Sequence, residues 1–195
     1  SMKKRYKFLR ERMKSESGDT TWKLGVWQKH GGELDMCKVG FHCSPKIWQA
    51  FSYVRGEILT EVETRGKSIS LRDKEVWKEM RIVRAWKWQK ADSVALAIYS
   101  AELVIDIFEK KYPNDKRPRE AIETAKKYLA EPSEENRIAA AYAAAYAAAD
   151  AAAKAAYAAA YAAADAAAKA AYAAFTKKIE NWMDERLETL EKINL

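Results

Sequence analysis

The chain of 195 residues has no glycine after Gly66, four prolines, two histidines and two cysteines. Two thiols cannot hold a disulfide framework, so a stapled mini-protein is excluded. No strongly apolar run reaches the length of a membrane span, because the long run near the C-terminus is alanine. The basic N-terminus lacks an apolar leader core, so a secretion signal is not expected. The glycines are scattered and form no phosphate-cradling loop. These absences predict a cytoplasmic protein without disulfides.

What is present is unevenly placed. Residues 1–90 hold 21 Lys+Arg against 11 Asp+Glu, a net of +10, whereas residues 91–195 net −3. Six of the seven Trp lie at or before Trp88, and alanine dominates beyond it. Such a shift predicts a boundary near residues 88–92. The expected fold class is α+β, with a basic, Trp-rich α+β domain over 1–90 and a helical domain over 91–195.

In the first region, Lys4–Met13 reads as a strand or a short helix. Thr21–Gln28 alternates Trp22, Leu24 and Val26 against Lys23, Gly25 and Trp27, a half-buried strand pattern. His30-Gly31-Gly32 signals a turn, and Leu34–Cys43 resumes an extended pattern around Gly40. Ser44-Pro45 caps a short helix that places Ile47, Trp48, Ala50, Phe51 and Val54 at helical spacing. Ile58–Val62 and Met80–Trp88 are further strands, separated by a break at Arg65-Gly66-Lys67. Simple alternation puts Ile82, Arg84, Trp86 and Trp88 on one face and Arg81, Val83 and Ala85 on the other.

The second region is helical throughout. Asp92 or Ser93 caps a helix expected to run to Lys111, with Val94, Leu96, Ala97, Leu103, Val104, Ile107 and Phe108 as its apolar stripe. Pro118 suits the first turn of a helix reaching Ala130, with Ile122, Ala125 and Leu129 inward. Ser133 opens a third helix. Within it, over 139–174, the unit YAAAYAAADAAAKAA repeats every 15 residues: Tyr142/Tyr157/Tyr172, Asp150/Asp165, Lys154/Lys169. Ala is the best helix former, and a bare Ala face allows close helix approach, so a homo-oligomer along these helices is expected.

Candidate chemistry is sparse. Cys37, His42 and Cys43 lie within seven residues, with His30 nearby, but the spacing matches no common zinc pattern, so no metal is expected. Nothing in the chain sets a nucleophile beside either histidine, and no cofactor is implied. Glu75 and Glu79 share a helical face, as exposed and solvated acids. The basic excess with Trp22, Trp27, Trp48, Trp77, Trp86 and Trp88 is the better clue, since cations beside aromatic planes suit phosphates and stacked bases. The other reading makes these Trp the core of a small domain. If a ligand is bound, a polynucleotide needs a continuous basic stripe, whereas a small nucleotide needs only a pocket. The negative second region weighs against a chain-wide nucleic-acid surface.

Two resemblances extend this reading. Residues 34–66, "ELDMCKVGFHCSPKIWQAFSYV…EILTEVETRG", resemble an uncharacterised domain of phage and bacterial genomes marked by a "GFHAC/S" turn. Cys37, Gly40, Phe41, His42, Cys43, Ser44, Glu61, Val62, Glu63 and Gly66 carry the match. The strand–GFHxS–helix–strand order also resembles ADP-ribosyltransferase folds, although that family's catalytic Glu has no counterpart on a final strand. Residues 91–130, with Pro113, Asp115, Arg117, Pro118, Arg119, Ala121 and Ile122, resemble an immunity-protein family of Ala-rich helices. There Asp115, Arg117 and Arg119 read as an ion-paired cap or as anion ligands at a helix start.

The combination implies a phage protein acting inside the infected bacterial cell. The leading expectation is a non-enzymatic defence-evasion protein that sequesters a small nucleotide-derived signal, a cyclic nucleotide or an ADP-ribose derivative. Trp48, Trp86 and Tyr residues would stack the base, Phe41 and His42 would join the ligand site, and Arg81, Arg84, Arg117 and Arg119 would hold phosphate. The alternatives are an interaction module that neutralises a toxin or effector, and an enzyme of ADP-ribosyltransferase type with His42 near the nicotinamide-nucleotide site.

Overall fold

The computed structural model describes residues 3–131, 133 and 165–194. It is α+β and forms two compact units, Ser1–Trp88 with Glu180–Leu195, and Gln89–Ile179. In the first unit, β1 (Arg5–Leu9), β2 (Gln28–Lys29), β3 (Phe41–Cys43), β4 (Ile58–Ser70) and β5 (Glu75–Lys87) make one antiparallel sheet of order β1-β4-β5-β2. The short strand β3 also pairs with β5, Phe41 opposite Trp77 and Cys43 opposite Glu75. A 3-10 turn (Glu11–Met13) follows β1, and α1 is Ile47–Tyr53.

The hairpin β4–β5 is the backbone of this unit and is longer than the apolar pattern suggests. Its reversal lies at Leu71–Lys74, where Leu71 N–H donates to Lys74 O at 2.8 Å. Gly66 does not break the strand: with φ +82 it occupies a bulge inside β4, between the Arg65↔Glu79 and Ser68↔Trp77 pairs. Only glycine takes that left-handed conformation without strain. A second irregularity, between Glu61↔Arg84 and Val62↔Ile82, leaves Val83 as an extra residue. It resets the alternation, so Arg81 and Arg84 share one face instead of lying on opposite ones.

One face of the sheet buries Leu9, Met13, Trp22, Cys43, Ile58, Val62, Met80, Ile82 and Ala85. Phe8 stacks edge-on against Phe51 of α1 and against Trp88 at 5.4 and 5.5 Å, so these aromatics are core. Trp22, Trp86 and Trp88 are buried.

Three other expectations for this unit change. Thr21–Gln28 is not a strand: Thr21 and Leu24 form isolated bridges, and Gly25 N–H turns in to donate to Ile82 O at 2.7 Å. Val26, inward in the alternating reading, is therefore exposed. Leu34–Cys43 is extended only over β3, because Lys38 and Val39 N–H both donate to Asp35 O and close a turn. Ser44 is not the cap of α1: its backbone pairs with Tyr6, and Lys46 is the cap, its N–H donating to Gln49 Oε1 at 3.0 Å.

In the second unit, α2 (Lys90–Glu102) and α3 (Ile105–Lys111) replace the single helix expected. Val104 leaves helical geometry at φ −127, ψ −5, while Val104 and Ile105 are both buried. The N-cap is Gln89, not Asp92 or Ser93: Asp92 lies inside the first turn, where its Oδ2 accepts from Gln89 N–H at 2.7 Å. In α4 (Arg117–Ala130), Pro118 sits in the first turn, and Ile122, Ala125 and Tyr128 pack with Val94, Ala97, Ile98, Ala101 and Ile105.

The last helix, α5, spans Asp165–Leu187 and ends short of the chain terminus. Beyond it, Ile193 N–H donates to Ala85 O at 2.8 Å and Lys87 N–H to Glu191 O at 2.9 Å. Most of the 139–174 repeat, and any continuity of a helix from Ser133, lies outside the described residues.

Candidate functional site

The GFHCS turn enters a cleft of about 610 Å³ in the first unit, bounded by β1, the Ser15–Gly18 turn, β3 and α1. Each residue of the motif has a local task. Gly40 lies at φ +112, and a Cβ there would sit 2.5 Å from Val76 Cγ2 and 2.6 Å from Leu34 Cδ2. Phe41 meets Trp22 edge-on at 5.2 Å. His42 Nε2 accepts from Cys37 N–H at 2.9 Å and so pins the turn, where Cys37 has φ +70. Burial, then Lys7 and Lys74, push His42 below the ordinary histidine range, against a hydrogen bond to the Gly40 backbone. A neutral ring with Nε2 as acceptor fits that bond. Burial, then Glu75, pushes the Cys43 thiol up to about 12.

Lys7 lies in the same cleft and donates to His42 O at 3.0 Å. Burial lowers its ammonium from the ordinary lysine range. Lys74 contacts Cys37 Sγ and stands 4.5 Å from the Tyr53 ring. Burial, with the Asp73 hydrogen bond next, raises the Tyr53 phenol to about 12.

The arginines expected to hold phosphate are all engaged by carboxylates. Arg81 pairs with Glu63 and stands 4.9 Å from the Trp27 ring. Arg84 bonds Glu61 at 3.0 Å. In the second unit Arg117 forks onto Asp115 at 2.6–2.8 Å, and Arg119 holds Glu109 at 2.7 Å. Arg117 draws the Asp115 carboxyl down to about 2, and Asp115 Oδ1 also accepts from Arg117 N–H at 3.1 Å. Trp86 is buried and Trp48 partly exposed, and neither lines the cleft, whereas Phe41 and His42 do. Glu75 and Glu79 lie on β5, not on a helix, and pair with Arg5 and Arg65.

Lys7 and Tyr53 were missed from the sequence. Nothing in the periodicity of β1 says that a lysine at its centre turns inward.

The distal half of the hairpin is a different surface. β1 covers the outer edge of β4 only from Ile58 to Val62. Among the described residues, no strand pairs with the outer edge of β4 beyond Val62. Ile69 and Leu71 are 40% and 53% exposed there, flanked by exposed Lys67 and Arg72.

Two family models match the chain. A domain of unknown function, DUF7666, matches residues 3–93, and Immunity protein Imm5 matches residues 57–191, so both include the β4–β5 hairpin. No curated protein and no solved structure matches it. Among the described residues no helix is long and apolar enough to cross a membrane.

Proposed function

The chain belongs to the Immunity protein Imm5 family, whose model covers well over half of it, and from that membership we propose that it neutralises a protein toxin by binding it directly. The supporting geometry is the far half of the β4–β5 hairpin. It offers an unpaired strand edge, two exposed aliphatic side chains and a cationic rim, a combination suited to strand addition by an extended segment. From Glu63 to Lys74 there are four cations against two carboxylates, so the fitting surface on the toxin is acidic.

Sequestration of a nucleotide-derived signal by Arg81, Arg84, Arg117 and Arg119 draws less support. Each guanidinium already has a carboxylate partner in its own unit, and a phosphate would have to displace it. An ADP-ribosyltransferase reading loses its focus at His42, whose ring serves the fold of the turn.

The test is co-expression in a bacterial host with each protein encoded beside this gene, followed by co-purification of any toxic one. Restored growth and a stable complex are expected. The Lys67→Glu/Arg72→Glu pair should weaken that complex about tenfold or more, mostly in the association rate and more strongly at low salt. Failure to protect against any toxic neighbour overturns the reading. Protection that survives the charge reversal unchanged overturns the choice of surface.

A further inference from the structure

Arg5, Arg65, Arg81 and Arg84 each meet a carboxylate. Lys7 is half-buried, and among the described residues its only hydrogen-bond acceptor is the neutral carbonyl of His42. An ammonium has three N–H donors, so two remain free. Among the described residues Lys7 forms no ion pair. The adjacent Cys43 supplies no countercharge, because its thiol keeps its proton to about pH 12. A desolvated cation without an anion is unfavourable unless something else supplies the charge.

Lys7 borders the 610 Å³ cleft, a volume within the usual range for small-ligand pockets. His30 lines the same cleft, and its Nε2 is buried without a hydrogen-bond partner. The walls include Phe41 and Tyr53, and Lys74 adds a second cation. We infer that this cleft binds a small organic anion, a carboxylate or phosphate on a flat apolar body, with Lys7 as its countercharge and His30 as a second polar contact. The apolar body would lie against the aromatic wall. This site is independent of the toxin-binding reading and would stand if that reading fell.

The experiment is calorimetric titration of the full chain with AMP, benzoate and inorganic phosphate, repeated on Lys7→Met. One organic anion should bind with 1:1 stoichiometry. Lys7→Met should lose that affinity by at least about tenfold, as expected for a hydrogen bond to a charged group. Its own melting temperature should equal or exceed that of the parent chain, because an unpaired cation has been removed. AMP without benzoate identifies a phosphate ligand, and benzoate without AMP a carboxylate. No uptake of any probe at millimolar concentration overturns the proposal, as does binding that Lys7→Met leaves unchanged. Should Lys7→Met fail to fold, the Lys7 ε-CH₂ NMR resonance of the parent chain decides: it must move on addition of the bound probe, and a resonance that stays put overturns the proposal.

Discussion

At the scale of single residues, the GFHCS turn is legible in sequence as a motif but not as a set of tasks. Gly40 combines φ +112 with the approach of Val76 and Leu34 side chains. Gly40→Ala is expected to cost about 2–4 kcal/mol, strain and overpacking together, read as a lower urea midpoint at unchanged slope. Cys43 governs the alkaline side of stability. Its thiol ionises near 9.0 when unfolded and near 12 when folded. Between those values the folded state holds a proton that the unfolded state has released, so stability falls as pH rises from 9 to 12. The slope from one group is at most ~1.4 kcal/mol per pH unit. Tyr6, raised to about 12 chiefly by burial, adds the same sign above pH 10. Cys43→Ala should flatten the decline between pH 9 and 10, measured by urea unfolding across that range. A Cys43→Ala chain whose stability changes with pH over that range just as the parent's does would contradict the assignment, because the opposing rise from Lys7, lowered by burial, is common to both chains.

At the scale of elements, the α+β class and the succession of β-rich and helical stretches were legible, because they rest on composition and periodicity. The registers were not. Alternation read through Val83 places Arg81 opposite Arg84, yet the bulge brings them to one face, where Glu63 and Glu61 meet them. A bulge is one residue in excess on one strand, and no residue type announces it when that residue is valine. The split of α2 from α3 is hidden for the same reason, with neither Gly nor Pro at Leu103–Val104. Deleting Val83 should leave a regular ladder, with Ile82 still facing Val62 and Arg84 still facing Glu61, so both stretches of β5 stay in phase with β4. The expected outcome is retention of the near-ultraviolet CD of the Trp cluster and of cooperative unfolding. A variant that loses both would show that the twist set by the bulge is indispensable.

At the scale of the whole molecule, the first unit is assembled from both ends of the chain. Residues 180–195 share no motif with the sheet, and their role becomes visible only through Trp86. That strand residue bridges to Lys192, while its neighbours Ala85 and Lys87 exchange backbone hydrogen bonds with Ile193 and Glu191. Ile193 also packs against the core that holds Met80 and Ile82. The tail thus satisfies polar groups on the last strand of a sheet whose other strands precede it by a hundred residues. Removing residues 191–195 deletes two backbone hydrogen bonds, the exposed Lys87–Glu191 ion pair and the Ile193 contact, about 2–4 kcal/mol in all. Amide exchange should locate the loss: Lys87 N–H, left without Glu191 O, should exchange far faster, while Leu59 N–H stays slow in the β4–β5 ladder. Trp emission should shift to the red as Trp86, now 8% exposed, meets water. Unchanged exchange at Lys87 would mean that the sheet closes without its C-terminal segment.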